Sequence, residues 1–400
     1  MNRSRFPGVI AADAQGRVLA DNAAGAQLPD RAIERMRTFL ERDNAPKGTL
    51  FARAQATTDL IAEARSSLAG LIAQPPERVG LGLNATTTAV ACSRLVATAV
   101  RPGDRVVVTD ADHAANVEPW RWLEHFGAEI DAVGVDATGD LDEAALASAL
   151  ERRPLLVALP WCSNATGTRF DVARYARAAK AAGAIVAVDG VQALPHFAVD
   201  IDPAMDLVTF SAYKVYAPHL GFWYLSPGFC ERFLAAGDAR APGGNARYWS
   251  VETGTQNHEG LAGWLGTIEY LREFGATARD AMAAFEAHER SIAAYALERF
   301  AARAPRVRLY GAPPDRGRLP LFAFNVAGVE PETVARSLAE GTIDARAGDF
   351  YSAALMRTVA PETSGKAVRL SLAHYNSTAD LDRCFEAIDA VVERAAPVAR

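Results

Sequence analysis

Hydrophobic positions along the chain fall into two textures. In the first part, short continuous apolar runs rich in β-branched residues alternate with alanine-rich stretches of helical period. The runs are Val79–Leu83, Arg105–Thr109, Glu129–Val135, Leu155–Leu159, Ile185–Asp189, Leu207–Phe210 and Gly221–Leu225. Continuous runs, rather than alternating ones, suit strands covered on both faces. Helical patterns over Asp142–Glu151 and Asp171–Ala182 separate some of them. Strand–helix–strand repetition predicts an α/β fold with a mostly parallel seven-stranded sheet flanked by helices. Leu207–Phe210 and Gly221–Leu225 are about ten residues apart with no helix between, which marks that pair for antiparallel pairing. After Leu271 the texture changes. A long helical stretch, Asp280–Arg303, precedes the short runs Val307–Tyr310, Leu321–Val326, Ile343–Ala347 and Val368–Leu372, the pattern of a smaller C-terminal α+β domain. The turn-rich Gly311–Pro320 segment reads as a surface loop.

Composition narrows the class. Of 400 residues, 50% are hydrophobic and 22% charged, the balance of a soluble protein with a large core. A net charge of -6 and a pI near 5.7 argue against a nucleic-acid binder and against an anionic membrane surface. The four cysteines, Cys92, Cys162, Cys230 and Cys384, are far apart, which argues against a disulfide framework or a zinc site. No metal site is expected. The basic start lacks a secretory apolar stretch and no run of about 20 apolar residues follows, so the expected location is cytoplasmic.

Ligands of open α/β sheets bind beyond the carboxyl ends of the strands. Reactive residues stand at four such ends. Leu81–Val90 runs from a strand through Asn84, Ala85 and Thr86 into a helix, where free amides and a hydroxyl suit a phosphate, or where a threonine simply caps the helix. His113, beyond Arg105–Thr109, offers a ring to stack or a proton carrier, or is a surface histidine. Asp189 ends an apolar strand, where an unpaired acid is costly to bury; it either meets a cation or caps a helix. Lys214 follows Leu207–Phe210 and is either a nucleophilic amine or a loop lysine. Together, a phosphate cradle, a stacking ring, an acid for a ring nitrogen and an imine-forming lysine are the contacts pyridoxal 5'-phosphate (PLP) requires. A nicotinamide-binding fold is disfavoured, because no GxGxxG follows an early strand.

The order Asp189-Gly190-Val191-Gln192, then Ser211-Ala212-Tyr213-Lys214, resembles the class V aminotransferases of PLP fold type I, and most nearly the group II cysteine desulfurases. The likeness runs from Asp21 to about Asn376. It implies an N-terminal arm (1–30) associated with the small domain, a large PLP-binding domain (31–275) and a small C-terminal domain (276–400). It also implies roles. Lys214 carries the cofactor as an imine and shuttles the substrate's α-proton. Asp189 pairs with the pyridine nitrogen, Gln192 with the phenolic oxygen, and His113 stacks on the ring. Ala85, Thr86, Ser211 and Tyr213 hold the phosphate. Asn164 lies near ring and substrate, Arg369 clamps the substrate carboxylate, and the arm beginning Asp21-Asn22 lines the mouth. Thr255 is expected to reach the phosphate of a neighbouring subunit in a homodimer.

This chain departs from the pattern at two places. Tyr213 stands where the family usually has histidine; tyrosine still has one hydrogen bond to donate. In the loop Arg346-Ala347-Gly348-Asp349-Phe350-Tyr351, the nucleophilic cysteine of the desulfurases aligns with Tyr351, and no cysteine occurs between Cys230 and Cys384. Sulfur transfer needs a thiolate there. The expectation is therefore a PLP enzyme acting on a small amino acid by transamination, epimerisation or β-elimination. The alternatives are a desulfurase with a non-standard thiol or a non-catalytic PLP-fold protein; Cys162 is the nearest thiol to Asn164, but is read first as a small packed residue at a strand end. Tyr351 is either a general acid or a pocket wall, and the wall is expected because an unperturbed tyrosine is a weak acid at neutral pH. Trp120, Trp161, Tyr248 and Trp249 either favour a bulky side chain or, for the first two, pack in the core.

Overall fold

The computed structural model describes residues 2–234, 251–313 and 316–395. In chain order its strands are β1 (Val18–Leu19), β2 (Val79–Gly82), β3 (Arg105–Thr109), β4 (Glu129–Val133), β5 (Leu156–Pro160), β6 (Ile185–Asp189), β7 (Leu207–Ser211), β8 (Gly221–Leu225), β9 (Val307–Tyr310), β10 (Leu321–Val326), β11 (Ile343–Asp344), β12 (Arg346–Gly348) and β13 (Ala367–Ser371). The large sheet has seven strands in the order β2-β8-β7-β6-β5-β3-β4. Only β8 runs against its neighbours, β2 and β7. The carboxyl ends of β2, β3, β5, β6 and β7 therefore share one edge.

The continuous apolar runs have a direct cause. Successive side chains of a strand point to opposite faces. Val157 and Leu159 of β5 join one core cluster, whereas Leu156 and Ala158 join the cluster on the other face. In β6, Val186 and Val188 go one way and Ile185 and Ala187 the other. Helices cover both faces, so neither set of positions is polar. The predicted helices begin where side chains can cap them: Asp142 accepts from the Ala145 amide and Asp171 from that of Arg174.

A second core belongs to the four-stranded antiparallel sheet β12-β13-β10-β9. The helix Ala278–Ala301, opened by a Thr277/Asp280 capping box, spans both cores. Its Phe285 packs in the large core, and Ile292, Ala296 and Phe300 pack in the small one. The N-terminal segment joins them too: β1 pairs in parallel with β11, while Phe6 and Val9 sit in the large core. No described helix is long and apolar enough to cross a membrane.

Three local expectations change. The Glu129–Val135 run ends as a strand at Val133, and Val135 instead bridges to Leu141. Ile343–Ala347 is not one strand: Ile343–Asp344 pairs with the N-terminal segment and Arg346–Gly348 with β13, the change of partner falling at Ala345. The loop after Tyr310 has exposed residues at Pro313 and Arg316, but Ala312, Leu319 and Pro320 are buried.

Candidate active site

The site forms on the shared edge of the large sheet. After β2 the chain turns at Asn84 and enters the helix Ala85–Ala97. Asn84 caps it, Oδ1 accepting from the Thr87 amide at 2.8 Å, so the cap is asparagine and not a threonine. This leaves Ala85 and Thr86 in the first turn, where backbone N–H groups have no intrahelical acceptor. Gly221 makes the turn possible: a Cβ there would lie 2.4 Å from the Asn84 backbone. Ser211 ends β7, and the following turn delivers Tyr213 and Lys214 to the same edge.

One pocket is lined by Ala85, Thr86, His113, Asn164, Asp189, Gln192, Ser211, Tyr213 and Lys214, together with Asp112 and Cys162. Burial lowers the Lys214 ammonium to about 8, with Arg369 adding to the effect and Asp189 and Asp21 opposing it. Burial raises the Asp189 carboxyl; the Val191 amide, 2.8 Å away, and Lys214 partly offset this. Asp189 does not cap a helix: the Val191 contact is a local turn. Asp112 is pushed well up by burial and then by Asp189, despite hydrogen bonds from Asn116 (2.8 Å) and the His113 amide (3.1 Å). The pocket thus holds two acids, Asp112 buried and Asp189 partly buried, both pushed toward the neutral form, with Lys214 the cation beside Asp189. His113 falls to about 4, by burial and then by Lys214 and Arg369, so its ring is neutral near pH 7.

Arg369 of β13 reaches in from the small sheet and is 3% exposed. Its Nη1 donates to the Asn164 carbonyl at 2.7 Å and its Nη2 to Asp21 at 3.0 Å; Nε is buried without a partner. The Asn164 side chain in turn fixes the loop opposite. It donates to the Phe350 carbonyl at 2.7 Å and accepts from the Ser352 hydroxyl at 2.8 Å. Phe350 and Tyr351 both have left-handed φ, 58° and 60°. The Ala114 amide holds the Tyr351 carbonyl at 2.8 Å, and the Tyr351 ring, 71% exposed, stands 5.5 Å from the His113 ring.

Other predicted residues sit elsewhere or do other work. The Asn22 amide donates to Leu19, Ser371 and Asn376, and its oxygen accepts from Tyr375, so its side chain fastens the arm. Thr255 is exposed and lines a neighbouring groove with Thr87 and Arg94; Thr86 belongs to both hollows. Tyr213 stacks on His219 at 5.0 Å. Trp120 donates to Asn116 and Trp161 packs against Phe197, both buried. Tyr248 and Trp249 lie outside the described residues. The sequence reading singled out neither Asp112, although it directly precedes His113, nor Ser352. A buried acid at a strand end was the available signal for Asp112.

An enclosed lysine of lowered pKa beside an acid pair, a neutral ring and a helix N-terminus can hold an aromatic aldehyde phosphate. The model of the family Aminotransferase class-V matches residues 18–384. The chain belongs to that family. A cysteine desulfurase of Dickeya dadantii is 31% identical, with 95% of this chain and 93% of that one aligned. An aminotransferase-like protein, FGM3, of Gibberella zeae is 27% identical over 98% of this chain and 97% of its own. The solved cysteine desulfurase of Thermococcus onnurineus NA1 has the same fold, with a TM-score of 0.87 at 23% identity, covering 98% of this chain and 97% of that one.

The chain is therefore a PLP-dependent enzyme of fold type I. The donor set fits the cofactor. A protonated pyridine nitrogen would add positive charge beside Asp189, Gln192 Oε1 is buried without a partner, and Ala85, Thr86 and Ser211 line the same pocket.

Proposed function

We propose that this enzyme acts on a small α-amino acid by proton removal at Cα, without passing sulfur to a loop cysteine. Arg369 binds the carboxylate, helped by Asn164, and Lys214 takes and returns the α-proton. The burial that lowers its pKa favours the neutral amine that takes the proton. PLP, when bound, supplies the electron sink that makes that proton acidic. Asp189 would hold the ring-nitrogen proton, His113 would lie against the ring and Gln192 would donate to the phenolic oxygen. Transamination, epimerisation and β-elimination all begin with this proton.

The observation that carries the reading is Tyr351. It occupies the loop tip, its carbonyl fixed by Ala114 and its ring beside His113. All four cysteines are buried. Cys162 does line the pocket, but burial pushes its thiol far up, away from the reactive thiolate. We further propose a homodimer in which the exposed Thr255 reaches the partner's phosphate site. Its exposure beside a groove leaves the Thr255 hydroxyl open to a neighbouring subunit, which supports this. Cys92, Cys162 and Cys384, buried as thiols, support a reducing, cytoplasmic setting.

The test is incubation of the holoenzyme with L-cysteine and L-alanine, followed by assay of keto acid, ammonia, sulfide and protein-bound persulfide. Turnover or a changed cofactor absorption band without persulfide is expected. Persulfide on the protein would overturn the proposal, and so would indifference to every amino acid.

A further inference from the structure

We infer that Asp21 is an internal carboxylate that competes with the substrate's for Arg369 and is passed to Arg346 when substrate binds; this rests on Arg369 being the carboxylate clamp. Arg346 of β12 and Arg369 of β13 are directly opposite each other in register. Like charges facing across a strand pair repel. Asp21 sits between them and gives each a separate oxygen: Oδ1 accepts from Arg369 Nη2 at 3.0 Å and Oδ2 from Arg346 Nε at 2.9 Å. One carboxylate is thus shared by two guanidinium groups, leaving one positive charge uncompensated, and it is shared on the very residue the substrate needs.

The geometry allows an exchange. Arg369 is fixed, its side chain 4% exposed, one Nη held by the Asn164 carbonyl and its plane over the Phe350 ring at 4.7 Å. Arg346 is free to follow, its side chain 54% exposed. An incoming carboxylate that takes Oδ1's place on Nη2 leaves Asp21 with its Arg346 contact intact. Each guanidinium then has its own carboxylate, so the exchange strands no charge. Asp21 also bridges to Ser371 through its backbone. The arm therefore stays docked while the carboxyl swings.

A permanent brace for Arg369 would behave differently, and the two separate by the sign of an effect. The experiment titrates holoenzyme with L-alanine and with L-alaninamide, which lacks the carboxylate, and follows the cofactor absorption band. Asp21→Asn keeps an acceptor oxygen but removes the competing charge. It should tighten L-alanine roughly 3-fold or more, by the energy of a partly exposed ion pair, and leave L-alaninamide unchanged. Arg346→Ala leaves Asp21 only Arg369 to pair with and should weaken L-alanine. The double variant should resemble Asp21→Asn. The alaninamide response and the retained band show that each variant is folded and loaded. Weaker or unchanged L-alanine binding in Asp21→Asn, or an equal shift for the amide, overturns the inference. Failure of the clamp reading looks different: Arg369→Ala would then keep the wild-type preference for L-alanine over its amide.

Discussion

Lys214 is pulled two ways, and the balance sets how the enzyme loads its cofactor. Burial and Arg369 favour the neutral amine, whereas Asp189 and Asp21 favour the ammonium, leaving the group near 8. Only the neutral amine attacks an aldehyde. Stripped of cofactor, the protein should take up PLP faster as pH rises, with a midpoint of about 8. Removing the main opposing charge, in Asp189→Asn, should shift that midpoint down. Growth of the cofactor absorption band against pH measures both, and a flat profile or an upward shift would contradict the assignment. His113, near 4, stays neutral throughout and adds no second step. Lys214 and Asp189 were legible in the sequence because each follows or ends an apolar run that had to be a strand. Asp21 and Asp112 were not, because burial and partners give them meaning. Asp21 and Arg369 are separated by 348 positions, and no local pattern reports that contact.

The helix N-terminus that borders the site depends on a backbone contact between two elements. Gly221 opens β8 where Asn84 caps the helix Ala85–Ala97, and an added Cβ would come within 2.6 Å of three Asn84 backbone atoms. Gly221→Ala should therefore displace the cap, lower thermal stability by more than the ~1 kcal/mol of losing the Asn84 side-chain cap alone, and weaken PLP binding. Asn84→Ala in parallel gives that reference; an equal or smaller loss in Gly221→Ala would refute the contact argument. The mouth loop stores strain differently. Tyr351 holds a left-handed φ that costs a non-glycine residue roughly 1–2 kcal/mol, yet most of its side chain is exposed. Tyr351→Gly should cost no stability, or raise it by up to about 1 kcal/mol after glycine's own entropy, while changing amino-acid affinity. A large loss by thermal denaturation would mean the ring packs more than its exposure indicates. Strands covered on both faces were readable as unbroken apolar runs. The β11–β12 segment was not, because two- and three-residue pairings to different sheets leave no period of their own.

At the scale of the whole molecule, the change of texture after Leu271 reported the second core, but not the way one helix and the N-terminal arm tie both cores together. That closure decides what the cysteines can do. Cys92 and Cys230 lie beneath one face of the large sheet, Cys162 beneath the pocket, and Cys384 in the small core. Burial pushes the Cys92, Cys162 and Cys384 thiols up, so thiolate is scarce at those three. A sulfur-carrying enzyme needs one accessible, reactive thiol. Here, a thiol-specific chromogenic reagent should label none of the four buried cysteines in the folded holoenzyme, and should label Cys92, Cys162 and Cys384 after denaturation. Labelling of Cys162 that appears on cofactor removal would be compatible, because that thiol lines the pocket itself. Rapid labelling of one thiol in the holoenzyme, blocked by L-cysteine, would restore a sulfur acceptor that Tyr351 is argued to have replaced. Slow labelling at the rate of global unfolding would leave C–S cleavage, if it occurs, to end in free sulfide.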